Sequence, residues 1–395
     1  MLMKTREIEM AFDPEIRDAL IEQVRRFVRE RCVPIEAKVA EDDAIPEDVV
    51  DEMKQLGLFG LAVPEDFGGL GLDMETECLV GFELGWTSPA FRSAAGTNIG
   101  IGSQALVLFG TEAQKIEWLP KVASGEVVTS FALTEPEAGS DAGSVKTKAT
   151  PDGDGYILNG TKRFITNANI ADLFTVMART DPDTPGGKGV SAFIVRRDAP
   201  GLSVGAPEKK MGQQGAQICD VIFDNVRVEA DMRIAGEGEG FKVAMSVLDK
   251  GRLHISSVCT GMAERLITEM VTYANERQQF GKPIMQHQLI QALIADSQAE
   301  AYAARCMILD AARKRDAGEN VTMLASCCKM FASEAVGRIA DRAVQVFGGA
   351  GYVADYGIER FYRDARIFRL YEGTTQIQQI VIARELARAA KRGEM

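Results

Sequence analysis

GYILNGTKRFIT (155–166), DLFTVMART (172–180), GVSAFIVRR (189–197) and QICDVIFDNVRV (217–228) follow one another with no helical run between them. Each is rich in β-branched and aromatic residues, and turn clusters at 151–155, 181–189 and 198–201 punctuate them. EVVTSFALT (126–134) precedes them with the same character. A doubly wound parallel sheet needs a helix after each strand, whereas strands that succeed one another directly pair mostly antiparallel. Residues 126–238 therefore read as a mostly antiparallel β-domain, and their organisation disfavours a Rossmann dinucleotide fold. Asn159-Gly160 reads as a hairpin turn, because type I′ turns need positive φ at both central residues.

Both flanks are helical. Asp13 followed by Pro14 gives an N-cap and a proline at the first helical position. Ile16, Leu20, Val24, Phe27 and Val28 fall on one face, and Pro34 is expected to limit that run. Val49, Val50, Met53 and Leu56 form a second face that stops at Gly57. In VPEDFGGLGL (63–72), Gly68, Gly69 and Gly71 read as turn residues, since no βαβ unit surrounds them. Beyond residue 239, Ile290, Leu293, Ile294, Ser297, Ala301, Ala304 and Ile308 share a stripe, as do Leu324, Cys328, Phe331, Ala335, Ile339 and Val346. Small residues on these faces allow close helix approach, as in a bundle, with Asp316-Ala317-Gly318 as the connection. The fold class is α+β, in three parts: helical 1–125, β 126–238 and a helical bundle 239–395.

Composition narrows the function. The chain has 395 residues, 46% hydrophobic and 26% charged, which is ordinary for a globular protein and excludes collagen-like or largely disordered classes. Its net charge of -12 argues against nucleic acid as main partner. Seven scattered cysteines without a C-x-x-C pair support neither a disulfide framework nor a zinc site, and fit a reducing compartment. MLMKTREIEM lacks the apolar core of a secretory signal, and no apolar run approaches the ~18 residues of a membrane span. A cytoplasmic protein is expected. With only His254 and His287 present, a general base is either a carboxylate or one of these imidazoles.

Three segments carry candidate chemistry. FALTEPEAGSDAGS (131–144) offers the hydroxyls of Thr134 and Ser140, with Gly139 and Gly143 letting backbone N–H groups approach an anion; taken alone, the segment reads rather better as an ordinary strand–turn. QVFGGAGYVADYGIERFYRDAR (345–366) ends a helix at Gly348, Gly349 and Gly351, room for a ligand or a plain helix stop. Its Arg360, Arg363 and Asp364 form either a paired network or solvated charge. IFRLYEGTTQIQQIVIARELA (367–387) sets Glu372 among Phe368, Leu370 and Tyr371, where desolvation raises a carboxyl pKa toward a useful base. Gly373 leaves space for a substrate, and Thr374 caps the following helix; a capping acid at a helix N-terminus is the plainer alternative for Glu372.

Together the three segments resemble the acyl-CoA dehydrogenases over nearly the whole chain. ALTEPEAGSDAGS is similar to that family's first signature, Gln345 to Asp364 to its second, and YEGTTQIQ (371–378) to the segment holding its catalytic glutamate. The resemblance implies a C-terminal four-helix bundle, bound FAD, and oxidation of an acyl-CoA to the trans-2-enoyl-CoA, with electrons passed to an electron-transferring flavoprotein. Glu372 then takes the α-proton while the β-hydride moves to flavin N5, and the thioester oxygen sits on the Glu372 N–H and a flavin ribityl hydroxyl. Such donors are worth roughly 3–4 kcal/mol each.

By the same resemblance, Phe131, Leu133, Thr134, Gly139 and Ser140 line the flavin or its pyrophosphate, and Ser140 also meets the CoA part. Phe164, Ile165 and Thr166 pack on and hydrogen-bond the ring. Asp249 and Arg252 contact CoA, with Tyr371 and Gly373 beside the substrate. Arg277, Gln279 and Phe280, with Gln345, Gly348 and Gly349, reach a neighbouring subunit's FAD, which implies a homotetramer, a dimer of dimers. His287, Gln288, Thr374 and Gln376 touch the cofactor too. No metal, nucleic acid or membrane insertion is implied. The chain departs from the family pattern at Phe164, where many members have Trp, and at Gln279, where a small hydroxyl residue is commoner. Gly251 stands where a minority of members place their base. Two rivals share the scaffold: an acyl-CoA oxidase or flavin monooxygenase, and a DNA-binding or non-catalytic relative. Gly96, Gly100, Gly102 and Gly251 hint at a roomy acyl pocket.

Overall fold

The computed structural model describes residues 13–394. Its first part is helical: α1 (Pro14–Phe27), α2 (Glu36–Asp42), α3 (Glu47–Gln55), α4 (Met74–Gly85), α5 (Pro89–Thr97), α6 (Gln104–Phe109) and α7 (Glu112–Ser124). Asp13 caps α1, its carboxylate accepting from the N–H groups of Glu15 at 2.8 Å and Ile16 at 3.4 Å. Leu20, Val24, Phe27 and Val28 are buried as the spacing requires, but Ile16 lies exposed in the first turn. Pro34 does not limit the run. A wide turn at Val28–Cys32 and a 3-10 turn at Val33–Ile35 carry the chain on into α2, with Pro34 at the start of the 3-10 turn, where its missing N–H has no required partner.

The middle part holds β1 (Thr129–Ala132), β2 (Lys148–Asp152), β3 (Gly155–Thr166), β4 (Leu173–Arg179), β5 (Val190–Arg196), β6 (Leu202–Val204), β7 (Ile218–Glu229) and β8 (Arg233–Ile234). They form one sheet in the order β6-β7-β3-β2-β4-β5-β8, with β1 added on β4. Pairing is antiparallel except for β1 on β4 and a single parallel register pair, Lys148 with Arg179. The period-2 alternation of β4 divides its side chains. Leu173 and Met177 join a core with Trp118, Leu119 and Val243, and Phe174, Val176 and Ala178 join the opposite core with Phe193 and Phe223.

Asn159-Gly160 is not a hairpin. β3 runs straight through it against β7, and the register slips between Leu158 and Gly160. Gly160 is needed there for a different reason: its φ is 151°, and a Cβ would lie 2.6 Å from Thr147 Oγ1. The tight turn instead joins β2 to β3 at Asp152–Gly155, inside the turn cluster at 151–155.

The last part is α8 (Gly240–Glu276), a short hairpin of β9 (Gln278–Gln279) and β10 (Lys282–Pro283), then α9 (Gln288–Asp316), α10 (Thr322–Phe347), α11 (Gly349–Tyr352), α12 (Ile358–Ala365) and α13 (Thr375–Arg392). α10 packs on α8, α9 and α13, giving the four-helix bundle. Ile294, Ala301, Ala304, Ile308, Cys328, Ile339 and Val346 lie in its core, and Ala335 is buried as well. Asp316, the last residue of α9, accepts from the N–H groups of Met74 at 2.8 Å and Glu75 at 3.0 Å, capping α4 from a distant part of the chain.

The charges of the second signature are paired. Arg360 donates to buried Glu36 at 3.0 Å, and Glu36 also accepts from the Thr87 hydroxyl at 2.7 Å and faces Arg265 at 3.6 Å. Asp364 accepts from the Gln213 N–H, and Arg363 donates to Glu359 at 2.6 Å and to the Met211 carbonyl at 2.9 Å. These bonds tie the first helices and the β7 approach to α12. Among the described residues, no helix is long and apolar enough to cross a membrane.

Candidate active site

Glu372 lies in the short connection between the 3-10 turn Arg366–Arg369 and α13. Its φ of 53° is unusual for a residue with a side chain, a strain of about 1–2 kcal/mol that neighbouring bonds must hold. Lys329, buried on α10, donates its Nζ to the Gly373 carbonyl at 2.6 Å. Gln378 on α13 donates to the same carbonyl at 3.0 Å and to that of Glu372 at 3.2 Å. Burial pulls the Lys329 ammonium down to about 8. Gly373 itself has φ +90°, and Thr374 caps α13, accepting from the Ile377 N–H at 3.2 Å. Glu372 is therefore not the cap. Its carboxylate points away from α13, toward α8.

That direction is open because Gly251 has no side chain. A Cβ there would stand 2.5 Å from Glu372 Oε2. The Glu372 side chain is only 7% exposed, and Oε2 is buried with no hydrogen-bond partner among the described residues. Arg92 of α5 brings its guanidinium to 3.8 Å from Oε1. Burial raises the Glu372 carboxyl, and the positive charges of Arg92, Lys329 and Arg252 pull it back toward ionisation. The Glu372 N–H has no acceptor among the described residues. A desolvated carboxylate, an unused N–H beside it and a recess in front can together take a proton from carbon and hold a developing oxyanion.

Phe131, Leu133 and Thr134 at the end of β1 meet Phe164, Ile165 and Thr166 at the end of β3. Arg163 N–H donates to the Thr134 carbonyl at 2.8 Å, and the Ser130 hydroxyl donates to that of Thr166 at 2.6 Å. Phe131, Leu133 and Ile165 are buried, while Phe164 stands 52% exposed with φ 59°. The hydroxyls of Thr134, Ser140 and Thr166 make no hydrogen bond among the described residues, and a Cβ at exposed Gly139 would meet nothing within 4 Å. An exposed aromatic face beside free hydroxyls and an open glycine fits a planar cofactor with polar edges. Thr374 and Gln376 flank the same helix start as Glu372, and Tyr371 precedes it, half-buried.

Asp249 and Arg252 pair at 2.6 Å on α8, and Asp249 also accepts from the Thr322 hydroxyl at 2.9 Å. Arg277, Gln279, Phe280, His287 and Gln288 gather at the β9–β10 hairpin. Phe280 is 93% exposed, its ring edge-on to His287 at 5.7 Å, and the His287 Nε2 lies 3.2 Å from the Gln279 carbonyl. Gln345, Gly348 and Gly349 are exposed at the end of α10. Neither group shares a hydrogen bond or ion pair with the Glu372 recess among the described residues, so within one chain the structure does not bring them to it.

Several residues went unread in the sequence. Lys329 and Gln378 hold the Glu372 turn, and their only sequence signal is a polar residue inside an apolar helical stripe. Glu135, in the first signature, accepts from buried Lys162 at 2.7 Å and from the N–H of Thr147 at 2.9 Å, bracing the 135–147 loop. Gly102, read as pocket room, is a packing glycine: a Cβ there would lie 2.3 Å from Thr129 Oγ1.

Three family profiles of the acyl-CoA dehydrogenases match the chain: N-terminal domain over residues 14–126, middle domain over 130–226 and C-terminal domain over 238–387. The chain belongs to this family, whose members are flavoprotein oxidoreductases. It is 40% identical over 363 residues to a Bacillus subtilis acyl-CoA dehydrogenase, covering 92% of this chain and 96% of that protein. The butyryl-CoA dehydrogenase of Megasphaera elsdenii superposes with a TM-score of 0.92 at 34% identity, over 96% of this chain and 100% of that one. A chain solved with the electron transferring flavoprotein of Acidaminococcus fermentans gives 0.92 at 36% identity, over 96% and 100%.

Proposed function

We propose that this enzyme binds FAD and dehydrogenates an acyl-CoA between its α- and β-carbons, with Glu372 as the base. The observation that carries the proposal is the buried, unpartnered Oε2 of Glu372, facing a recess kept clear by Gly251. Its carboxylate takes the α-proton. The Glu372 N–H donates to the thioester oxygen as negative charge grows there, and burial removes the water that would compete for both. Lys329 and Gln378 hold the turn so that neither group must reorganise. A bound flavin supplies the acceptor for the hydride leaving the β-carbon. Phe164, with Thr134 and Thr166, would hold its ring, and the open backbone at Gly139 and Ser140 its phosphates. Asp249 and Arg252 would orient the CoA part.

On this reading an electron-transferring flavoprotein takes the electrons, and the chain is a cytoplasmic homotetramer. The exposed hairpin with Phe280, and exposed Gln345 and Gly349, are the surfaces from which a neighbour's cofactor would be reached. The test is anaerobic mixing of purified enzyme with straight, branched and substituted acyl-CoAs, following flavin absorbance. Bleaching by at least one of them, lost in Glu372→Gln with FAD retained, is the expected result. A colourless protein that refuses added FAD, or turnover intact in Glu372→Gln, overturns the proposal. Rapid peroxide formation with acyl-CoA alone would assign an oxidase instead.

A further inference from the structure

Beyond Glu372 the recess is floored by Gly96, Gly100 and Gly251 and lined by Ile99 and Ile101, with Glu77, Arg92, Lys250 and His254 set among them. A purely aliphatic acyl end would need no charged group there, yet two cations and an imidazole line it. Lys250 is satisfied, pairing with buried Glu77 at 2.7 Å. Arg92 is not. It is 7% exposed and makes no hydrogen bond among the described residues, and its Nε is buried without an acceptor. Its nearest carboxylate, Glu372, stands at 3.8 Å, beyond hydrogen-bond reach. His254, also buried, leaves Nε2 unpartnered on the same wall, and burial with Arg92 and Lys250 nearby keeps its ring neutral. Gly96 is part of the arrangement, since a Cβ there would lie 2.7 Å from Arg92 Nε.

A guanidinium carries five donors and does not give up its proton, so burial without an acceptor is strongly unfavourable. Something in the recess has to accept from those donors, and the substrate is what fills it.

Resting on the dehydrogenase reading, we propose that the natural acyl group is short and ends in a carboxylate, received by Arg92 with His254 beside it. A carboxylate matches the planar fork of the guanidinium, at about 2.8 Å. The closeness of Arg92 to the base places that carboxylate only a few bonds beyond the α-carbon.

The test compares glutaryl-CoA with valeryl-CoA, of equal chain length, as reductants of the holoenzyme's flavin under anaerobic conditions. The expected ratio of second-order rate constants for flavin reduction favours glutaryl-CoA by about a hundredfold or more, because an uncharged end leaves the buried donors unpaired. In Arg92→Gln, checked for retained FAD and native assembly, that ratio collapses toward one. If Arg92 only tuned Glu372, the variant would slow both substrates alike and leave the ratio unchanged. Should Arg92→Gln fail to fold, binding of the two thioesters to Glu372→Gln, which keeps Arg92, gives the same comparison. A wild-type preference for valeryl-CoA overturns this inference and leaves the dehydrogenase reading standing. Bleaching by neither, nor by any other acyl-CoA, is instead a failure of the dehydrogenase reading.

Discussion

Replacing Gly251 with alanine isolates base placement from base chemistry. The added Cβ would stand 2.5 Å from Glu372 Oε2, against about 3.4 Å for an ordinary contact, so the carboxylate must retreat by ~0.9 Å. A misplacement of about 1 Å in a reacting group slows reaction by roughly 100-fold. Retreat is hard to avoid, since Glu372 is fixed at φ 53° by bonds to its own and the next carbonyl. Gly251 lies within α8, where alanine is favoured over glycine by about 1 kcal/mol, so the fold should not suffer. The expected outcome for Gly251→Ala is a melting temperature at or above wild type, FAD retained, and a rate of flavin reduction down about a hundredfold. Stopped-flow absorbance under anaerobic conditions reads the rate, and differential scanning fluorimetry the stability. A wild-type reduction rate in this variant would refute the placement of Oε2 against α8.

Glu372 titrates above the ordinary carboxyl range because of burial, and Arg92 counters that rise. The rate of flavin reduction should therefore fall on acidification at a higher pH than a solvent-exposed carboxylate would give. Arg92→Gln should move that acid limb higher still; an unmoved limb would show that the guanidinium does not face the base. Lys329 titrates at about 8 in the fold and near 10.5 when unfolded, so the unfolded chain binds more protons between these values. Stability relative to Lys329→Met should then rise with pH from about 8 to 10.5, read as the difference in melting temperature between the two proteins; a flat difference sinks the assignment. Glu36→Gln keeps the shape of the buried hub but leaves Arg360 and Arg265 without their shared charge. Thermal and urea unfolding should show a loss of about 3–5 kcal/mol, and a loss below 1 kcal/mol would mean the hub is not coupled to folding.

What the sequence disclosed and what it hid follow from how local each cause is. The β-domain was legible because period-2 runs separated only by turns leave no room for crossover helices, and β4 alternates between two cores as that pattern demands. Asn159-Gly160 misled because the same dipeptide serves a tight turn and a bulge. What decided between them was Thr147, on the neighbouring β2 side, whose hydroxyl lies where a Cβ at 160 would go. Pro34 misled for a related reason, since a proline ends a regular helix but not one that relaxes first into a wide turn. Glu372 was visible as a carboxylate between aromatics and a glycine, whereas the residues that make it useful were not. Lys329 and Arg92 went unread, since nothing local says that α10 turns Lys329 toward Gly373 or that α5 aims Arg92 at the base. A lone cation in an apolar stripe becomes informative only once the partner it must satisfy is known. For Lys329 that partner is a backbone carbonyl of this chain. For Arg92 the chain supplies no hydrogen-bond acceptor among the described residues, only the Glu372 carboxylate at 3.8 Å, and on the proposal above the acyl group bears that requirement.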